Sequence, residues 1–277
     1  MKGSRTMIRG FYTAAAGMLS QMRRQEMLTN NIANANTPGY KADQSSLRSF
    51  PNVLLRQMGG TIGNGLPVGE MSTGVYLQDA MPNFANGSLK ATNLPTDVAL
   101  MSVEVPENPE TGIQGTLLFA VESPDGTVRY TRNGHFSVDA LGRLTTADGH
   151  LVLSSTGQPI VLHTQDFKID SDGRIYENGR ATSKIGVFYA ADPTQLVKEG
   201  NDLFTVGNNG GTLPSADGNP AIRYSISQGY LEQSNVDMEQ AMTDLMMTYR
   251  TFQANQTVLK SIDHTMDLLA NQVGKIG

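Results

Sequence analysis

The residues able to do chemistry by themselves are few, and their spacing does not gather them. Four histidines, His135, His150, His163 and His264, lie far apart in the chain, outside the short spacings that bring two imidazoles to one metal ion. There is no cysteine, which removes disulfides, thiol nucleophiles and zinc–thiolate clusters together. Asp170-Ser171-Asp172-Gly173 has the look of a calcium-loop start. With Asp170 and Asp172 at loop positions 3 and 5, however, Lys168 occupies position 1 and Gly179 position 12, and neither side chain can ligate the ion. The stretch therefore reads as a β-turn. No Gly-x-Ser-x-Gly elbow, phosphate loop or dinucleotide fingerprint occurs. A cell-wall hydrolase would set two carboxylates across a cleft, and nothing in the spacing marks such a pair. The expectation is no enzyme, no catalytic residue, no metal, no cofactor and no small-molecule substrate, with an unmarked carboxylate pair as the enzymatic alternative.

Composition points the same way. The 277 residues allow one large domain or two small ones. Hydrophobic residues make up 39%, aromatics 6%, there is no Trp, and 29 glycines punctuate the chain. That balance belongs to a β-rich or elongated protein with a lean core. A net charge of −5 excludes a global bias toward nucleic acid. Charge is nonetheless polarised: residues 1–41 hold Lys2, Arg5, Arg9, Arg23, Arg24 and Lys41 against Glu26 alone, whereas in 231–277 acidic side chains outnumber basic ones. The two ends can attract each other, within a chain or between chains, or simply be solvated faces. No apolar run approaches the roughly 18 residues that span a bilayer. Met1 to Thr6 reads as a vector scar or an upstream start, with Met7-Ile8-Arg9 as a plausible native beginning. Arg9 followed by an apolar run imitates a signal peptide, but Thr13 and Gly17 break the run and it continues into Gln21, Arg23 and Arg24. No cleaved signal is expected.

The elements that must position everything else are at the two ends. Leu231, Met238, Leu245, Phe252, Leu259, Met266 and Val273 fall on one heptad position. Ala241, Thr248, Asn255, Ile262 and Leu269 form a second row half a heptad on, with Met242 and Tyr249 beside it. With no Pro and no Gly before Gly274, the repeat predicts a coiled-coil helix over 231–273, about 60 Å long at 1.5 Å per residue. Ser234 or Asn235 is the expected N-cap, Asp237 and Glu239 the first turn, and Gly274 with Lys275 the C-terminal signal. A second helix is expected from Ile8 to about Ala33. Phe11, Met18 and Ile32 share its heptad row, flanked by Ala14, Ala15, Met22 and Leu28, and interrupted by Gln25. Such seams need partners. The assembly interface is therefore expected at Phe11, Met18, Met22, Leu28, Ile32, Leu231, Met238, Leu245, Tyr249, Phe252, Leu259, Ile262, Met266 and Leu269.

The first helix ends in Asn30-Asn31-Ile32-Ala33-Asn34-Ala35-Asn36-Thr37-Pro38-Gly39-Tyr40-Lys41. Asparagine competes with helical backbone bonds, and Pro-Gly completes a turn. Asparagines in this number exceed what a helix stop requires, and their amides suit a packed interface. We read 30–41 as a hinge in which Gly39 takes a positive φ, Tyr40 lies against an outer layer and Lys41 stays solvated. Residues 42–80 are rich in Ser, Gly and Gln, with Met58-Gly59-Gly60-Thr61-Ile62-Gly63-Asn64-Gly65 flexible by composition. From Val98 to Gln228, short apolar runs alternate with Asp-Gly and Asn-Gly pairs, the pattern of an antiparallel, hairpin-rich domain. Val128-Arg129-Tyr130-Thr131-Arg132 and Phe136-Ser137-Val138 are expected to pair as one hairpin.

These segments carry a resemblance. Residues 30–41 are similar to the N-terminal signature of the bacterial flagellar rod and hook proteins, the axial family of the basal body. That pattern is Asn-Asn-(Ile/Leu)-Ala-Asn, a short gap, then Thr-x-Gly-(Tyr/Phe)-Lys, and Asn30, Asn31, Asn34, Thr37, Gly39, Tyr40 and Lys41 all fall on it. Gly229-Tyr230-Leu231-Glu232-Gln233-Ser234-Asn235-Val236 resembles the family's Gly-x-Leu-Glu-x-Ser-Asn-Val. Tyr249-Arg250-Thr251-Phe252-Gln253-Ala254-Asn255 resembles a second C-terminal motif, with Gln253 where Glu is commoner. Asn235, Arg250 and Asn255 are its signature positions here. Tyr130-Thr131-Arg132-Asn133-Gly134-His135-Phe136 and Gly157-Gln158-Pro159-Ile160 match the middle domain. One departure is a Pro- and Glu-rich insertion over 104–115, read as a lengthened surface loop. The matches cover roughly 7–41 and 74–273, and the size is that of a proximal or distal rod protein, most like the Gram-positive hook–basal-body type.

The resemblance implies an α+β fold. Long N- and C-terminal coiled-coil helices (7–41 and 231–277) would form one helical, inner-tube domain. Residues 42–80 would be an extended crossing, and 81–230 an inserted antiparallel β-rich outer domain. It implies a structural, self-assembling subunit of the flagellar basal-body rod, linking motor and export apparatus to the hook. Its partners would be copies of itself, other rod and hook proteins, and the flagellar type III export apparatus, which would carry it outside the cytoplasmic membrane. A coiled-coil adaptor or adhesin with a β head is the alternative.

Overall fold

The computed structural model describes residues 2–51, 53–56, 67–71, 74–109, 111–164, 166–207 and 211–273. The glycine-rich stretch 58–65 and the C-terminal pair Gly274 and Lys275 lie outside the described residues, as do the side chains of Leu269 and Val273. The fold is α+β, and the chain divides into two units. One comprises Met1–Ala33, Asp43–Met81 and Asp237–Gly277; the other comprises Asn34–Ala42 and Pro82–Val236.

The first unit is built on two helices, α1 (Lys2–Ala33) and α2 (Met238–Val273). They pack antiparallel: a side chain on Gly10 would meet Ile262, one on Gly17 would meet Asn255, and Arg24 lies 3.8 Å from Asp244. In α2 the buried or half-buried positions are Ala241, Asp244, Leu245, Thr248, Phe252, Asn255, Leu259 and Ile262. Asp244 apart, they alternate by four and three, on the two rows the heptads predict. In α1 the same spacing holds, but the rows are Gly10, Ala14, Gly17, Gln21, Arg24, Leu28 and Asn31. The expected row of Phe11, Met18, Gln25 and Ile32 is one residue off. The reason is that α1, Leu28 apart, faces its partner with small and polar residues, while Phe11 and Met22 point outward. The region 42–80, read as an extended crossing, holds short antiparallel pairs: Leu47–Ser49 with Val75–Leu77, and Val53–Arg56 with Pro67–Met71.

The start of α2 also differs from expectation. Asp237 is the cap, its Oδ1 accepting from the Gln240 N–H at 3.0 Å. Leu231 is not helical; it is buried in the strand Tyr230–Glu232, which pairs with Leu89–Ala91. Ser234 and Asn235 do not cap, because Asn235 is committed to backbone partners in the β unit.

The second unit is centred on the strand Thr116–Glu122. Its residues alternate between two faces, as a pleated strand requires. Leu117, Phe119 and Val121 join one buried cluster with Val98, Leu100, Phe136, Leu144 and Val187. Leu118 and Ala120 join the other, with Tyr130, Leu153, Leu196 and Phe204. A strand covered on both faces reads as an unbroken apolar run, which Leu117-Leu118-Phe119-Ala120-Val121 is. It pairs with Val128–Thr131, Leu151–Val152 and Val187–Ala190.

The expected hairpin of 128–132 with 136–138 does not form. Val128–Thr131 lies between Thr116–Glu122 and Leu203–Val206, while Phe136–Val138 pairs with Leu144–Thr146. Asn133-Gly134 is not a tight turn; the Gly134 carbonyl accepts from the Val98 N–H at 3.0 Å, so the chain is held by a neighbour rather than reversed on itself. Asp170-Ser171-Asp172-Gly173 is a β-turn, with the Gly173 N–H on the Asp170 carbonyl at 2.8 Å. The 104–115 insertion folds back through bonds from Asn108 N–H to the Ile113 carbonyl (2.9 Å) and from Gly115 N–H to the Pro106 carbonyl (3.2 Å).

Candidate functional site

Within the β unit, three distant segments converge on one buried charge cluster. Lys41 and Arg132 are each 1% exposed at the side chain, and Glu232 is 3% exposed. The strand Tyr230–Glu232 carries Glu232 inward, where Oε1 accepts from Lys41 Nζ at 2.8 Å and from the Gly87 N–H at 2.8 Å. Oε2 accepts from Arg132 Nε at 2.6 Å. Arg132 continues into the sheet, donating from Nη1 to the Leu117 carbonyl and from Nη2 to the Leu100 carbonyl, each at 2.6 Å. Lys41 Nζ also donates to the Ala85 carbonyl at 2.7 Å. Lys41 is therefore not solvated as the sequence suggested. A lysine beside signature residues is read as surface by default; here a carboxylate 191 residues away draws it inside.

Two cations share one anion, and the electrostatics follow. Burial pushes the Lys41 ammonium down to about 8, opposed by Glu232 and reinforced by Arg132. Burial works against the Glu232 charge, but Arg132 and Lys41 outweigh it and hold the carboxyl below its ordinary value.

The signature residues around the cluster serve as backbone anchors. Gly39 has φ +72°, and its N–H donates to the Glu232 carbonyl at 2.8 Å. Tyr40 is buried, with Lys198 Nζ 3.8 Å from its ring centroid. Asn235 Oδ1 accepts from the Ala42 N–H at 2.8 Å, and its Nδ2 donates to the Asn83 carbonyl at 2.7 Å. Thr37 Oγ1 donates to Asn34 Oδ1 at 3.2 Å. In the helical unit, Asn31 closes a reciprocal pair with the Asp43 backbone, at 2.8 and 2.9 Å. Asn30 and Arg250 are exposed, and Asn255 is half-buried opposite Gly17. Sequence reasoning missed Arg132, Glu232 and Asn83 as partners, and Asn86, whose Oδ1 accepts from Arg132 Nη2 at 3.1 Å. The signal was present: each of the three matched segments carries one charged residue, and the signs are complementary.

The residues expected at an assembly interface separate into two groups. Leu28, Leu245, Phe252, Leu259 and Ile262 are buried or half-buried where α1 meets α2, and Leu231 lies in the β unit. Phe11, Met22, Met238, Tyr249 and Met266 are exposed, with Met18 and Ile32 half-buried. The exposed and half-buried apolar residues beside the seam have a pattern. Phe11, Ala15, Met18 and Met22 on α1, and Met242, Met246 and Tyr249 on α2, each follow a seam position by one residue. One residue is about 100° of helix rotation, so in an antiparallel pair both rows turn to the same side. Residues one before the seam turn to the opposite side. On α1 the chain covers that side, with Ser20 Oγ donating to the Val75 carbonyl at 3.0 Å and Gly74 against Ala16, whereas on α2 Met247 and Val258 there are exposed. The helix pair thus has one side covered along α1 and, on the other, a bare apolar row shared by both helices, where Met246 is 66% and Phe11 40% exposed.

Among the described residues, no group of three or more His, Asp or Glu side chains is placed to hold a metal ion. Nor, among the described residues, is any helix long and apolar enough to cross a membrane.

Comparison with known proteins gives matches along most of the chain. Residues 11–41 match a family model described as flagella basal body rod protein, 112–177 the flagellar hook protein FlgE/F/G D1 domain, and 227–273 the flagellar basal body rod FlgEFG protein C-terminal region. The chain is 43% identical to the flagellar hook-basal body complex protein FlhO of Bacillus subtilis, over 98% of this chain and 100% of that one. It is 29% identical to the flagellar basal-body rod protein FlgG of the same organism, covering 96% and 99%. It is 30% identical to the flagellar basal-body rod protein FlgF of Mesorhizobium japonicum, covering 95% and 97%.

Proposed function

The chain belongs to the family of flagellar basal-body rod and hook proteins, and from that premise we propose that it is a self-assembling rod subunit that polymerises through the bare side of its helix pair. It is a structural component of the hook–basal body, as its relatives are. The observation that carries the finer reading is the apolar row of Phe11, Met18, Met22, Met242, Met246 and Tyr249, contributed by both helices and turned to one side of the pair. A contiguous exposed apolar stripe marks an interaction surface, and its methionines adapt to neighbours of unequal shape. On this reading the α1–α2 seam is a coiled coil closed within each subunit, and the bare side meets helices of other copies in an inner tube. The β unit would form the outer layer. The partners are further copies, other rod and hook proteins, and the flagellar type III export apparatus, which delivers the chain beyond the cytoplasmic membrane without a cleaved signal.

The reading is tested in a strain lacking this protein. Electron microscopy of its purified basal bodies should show a missing or truncated rod. Complete rods carrying hooks would contradict it.

A further inference from the structure

The β unit begins and ends at two chain crossings, residues 34–42 and 231–236. We propose that Glu232 is a positioning residue that pins both crossings at once, so that the first docks only when the second is in place. Three backbone or side-chain groups of the first crossing are held by two residues of the second. Gly39 N–H rests on the Glu232 carbonyl, Lys41 Nζ on the Glu232 carboxylate, and Ala42 N–H on Asn235 Oδ1, each at 2.8 Å. Glu232 is in turn fixed from inside the sheet by Arg132 and from the side by the Gly87 N–H. Arg132 is anchored on the carbonyls of two strands, so it cannot follow Lys41 if the carboxylate is lost.

The charge count gives this arrangement a signature. The enclosed cluster holds two cations and one anion, so losing the anion leaves two like charges facing each other, desolvated. Losing Lys41 instead leaves Glu232 and Arg132 as a matched pair. Removing both Glu232 and Lys41 leaves a single cation that still donates to protein carbonyls. The double change is therefore less disruptive than the loss of Glu232 alone. A residue that only filled space would not behave this way: changing its neighbour as well would not restore the lost packing.

The test uses the purified full-length chain and the variants Lys41→Met, Glu232→Gln and the double variant. Thermal melting is followed together with amide hydrogen exchange. Lys41→Met is expected to keep most of the parent melting temperature. Glu232→Gln should melt lowest, and where it folds its amides at 39–42 should exchange about tenfold faster or more. The double variant should melt above Glu232→Gln. The proposal is overturned if the double variant melts no higher than Glu232→Gln, or fails to fold as that variant does. It is also overturned if Glu232→Gln leaves exchange at 39–42 unchanged.

Discussion

At the scale of single residues, geometry decides two outcomes. Gly39 has φ +72°, and a Cβ there would lie 2.6 Å from the backbone of Arg132 and Asn133. Gly39→Val thus adds a collision with backbone, which cannot move aside, to about 1–2 kcal/mol of left-handed strain. The β unit of that variant should melt several degrees lower; a parent-like melting curve would refute the assignment. Glu232 contributes to the acid limit. Its carboxyl binds a proton more weakly in the folded chain than in the unfolded one, so the unfolded chain takes up more protons as pH falls through the carboxylate range. The stability Glu232 contributes is present above that range and drains away below it. Urea unfolding at stepped pH should show stability falling below about pH 4.5, the ordinary Glu range. A stability that stays flat through that range would contradict the ion cluster. The need for a glycine at 39 was legible in Pro38-Gly39, because local turn chemistry demands it. The burial of Lys41 was not, because its anion lies 191 residues away and no local pattern announces a distant partner.

At the scale of elements, the helix pair turns on close approach. A side chain at Gly17 meets the Asn255 amide at 2.9 Å, the movable end of a flexible side chain. Gly17→Ala should be nearly neutral, since the gain in helix propensity of about 1 kcal/mol offsets the shift of Asn255. Gly17→Leu should push α1 from α2 and cost about 1–3 kcal/mol by overpacking. Circular-dichroism melting of the two variants distinguishes them; equal melting would mean that the helices do not meet at this point. The seam of α2 was readable because Leu245, Phe252 and Leu259 are large and apolar. That of α1 was misplaced by one residue because Gly10, Gly17, Gln21 and Asn31 carry no hydrophobic signal. Weighting by hydrophobicity found the outward row of Phe11 and Met18 instead. The false hairpin at 128–138 has a related cause: turn chemistry at Asn133-Gly134 is local, whereas the true neighbours of Val128–Thr131 come from both sides of it in sequence.

At the scale of the whole molecule, motif order was the most legible feature. Signature segments near both ends and in the middle predicted an α+β chain with terminal helices, and Lys41, Arg132 and Glu232 show what three of those segments do in common: they supply the pieces of one buried cluster. The boundary of the β unit was not legible, since 34–42 looks like the tail of a helix until Tyr40 and Lys41 are seen inside the β core. The central claim is that the bare side of the helix pair joins one subunit to the next. It is tested most directly by the paired change Met18→Asp with Met242→Asp, introduced in place of the parent protein. Both sites lie off the α1–α2 seam, so the purified variant should melt within a few degrees of the parent. In cells the buried charges in each subunit contact would oppose assembly. The account predicts secreted but unassembled protein and non-motile cells whose basal bodies lack a complete rod. Normal swimming, with the variant present in intact rods, would contradict it.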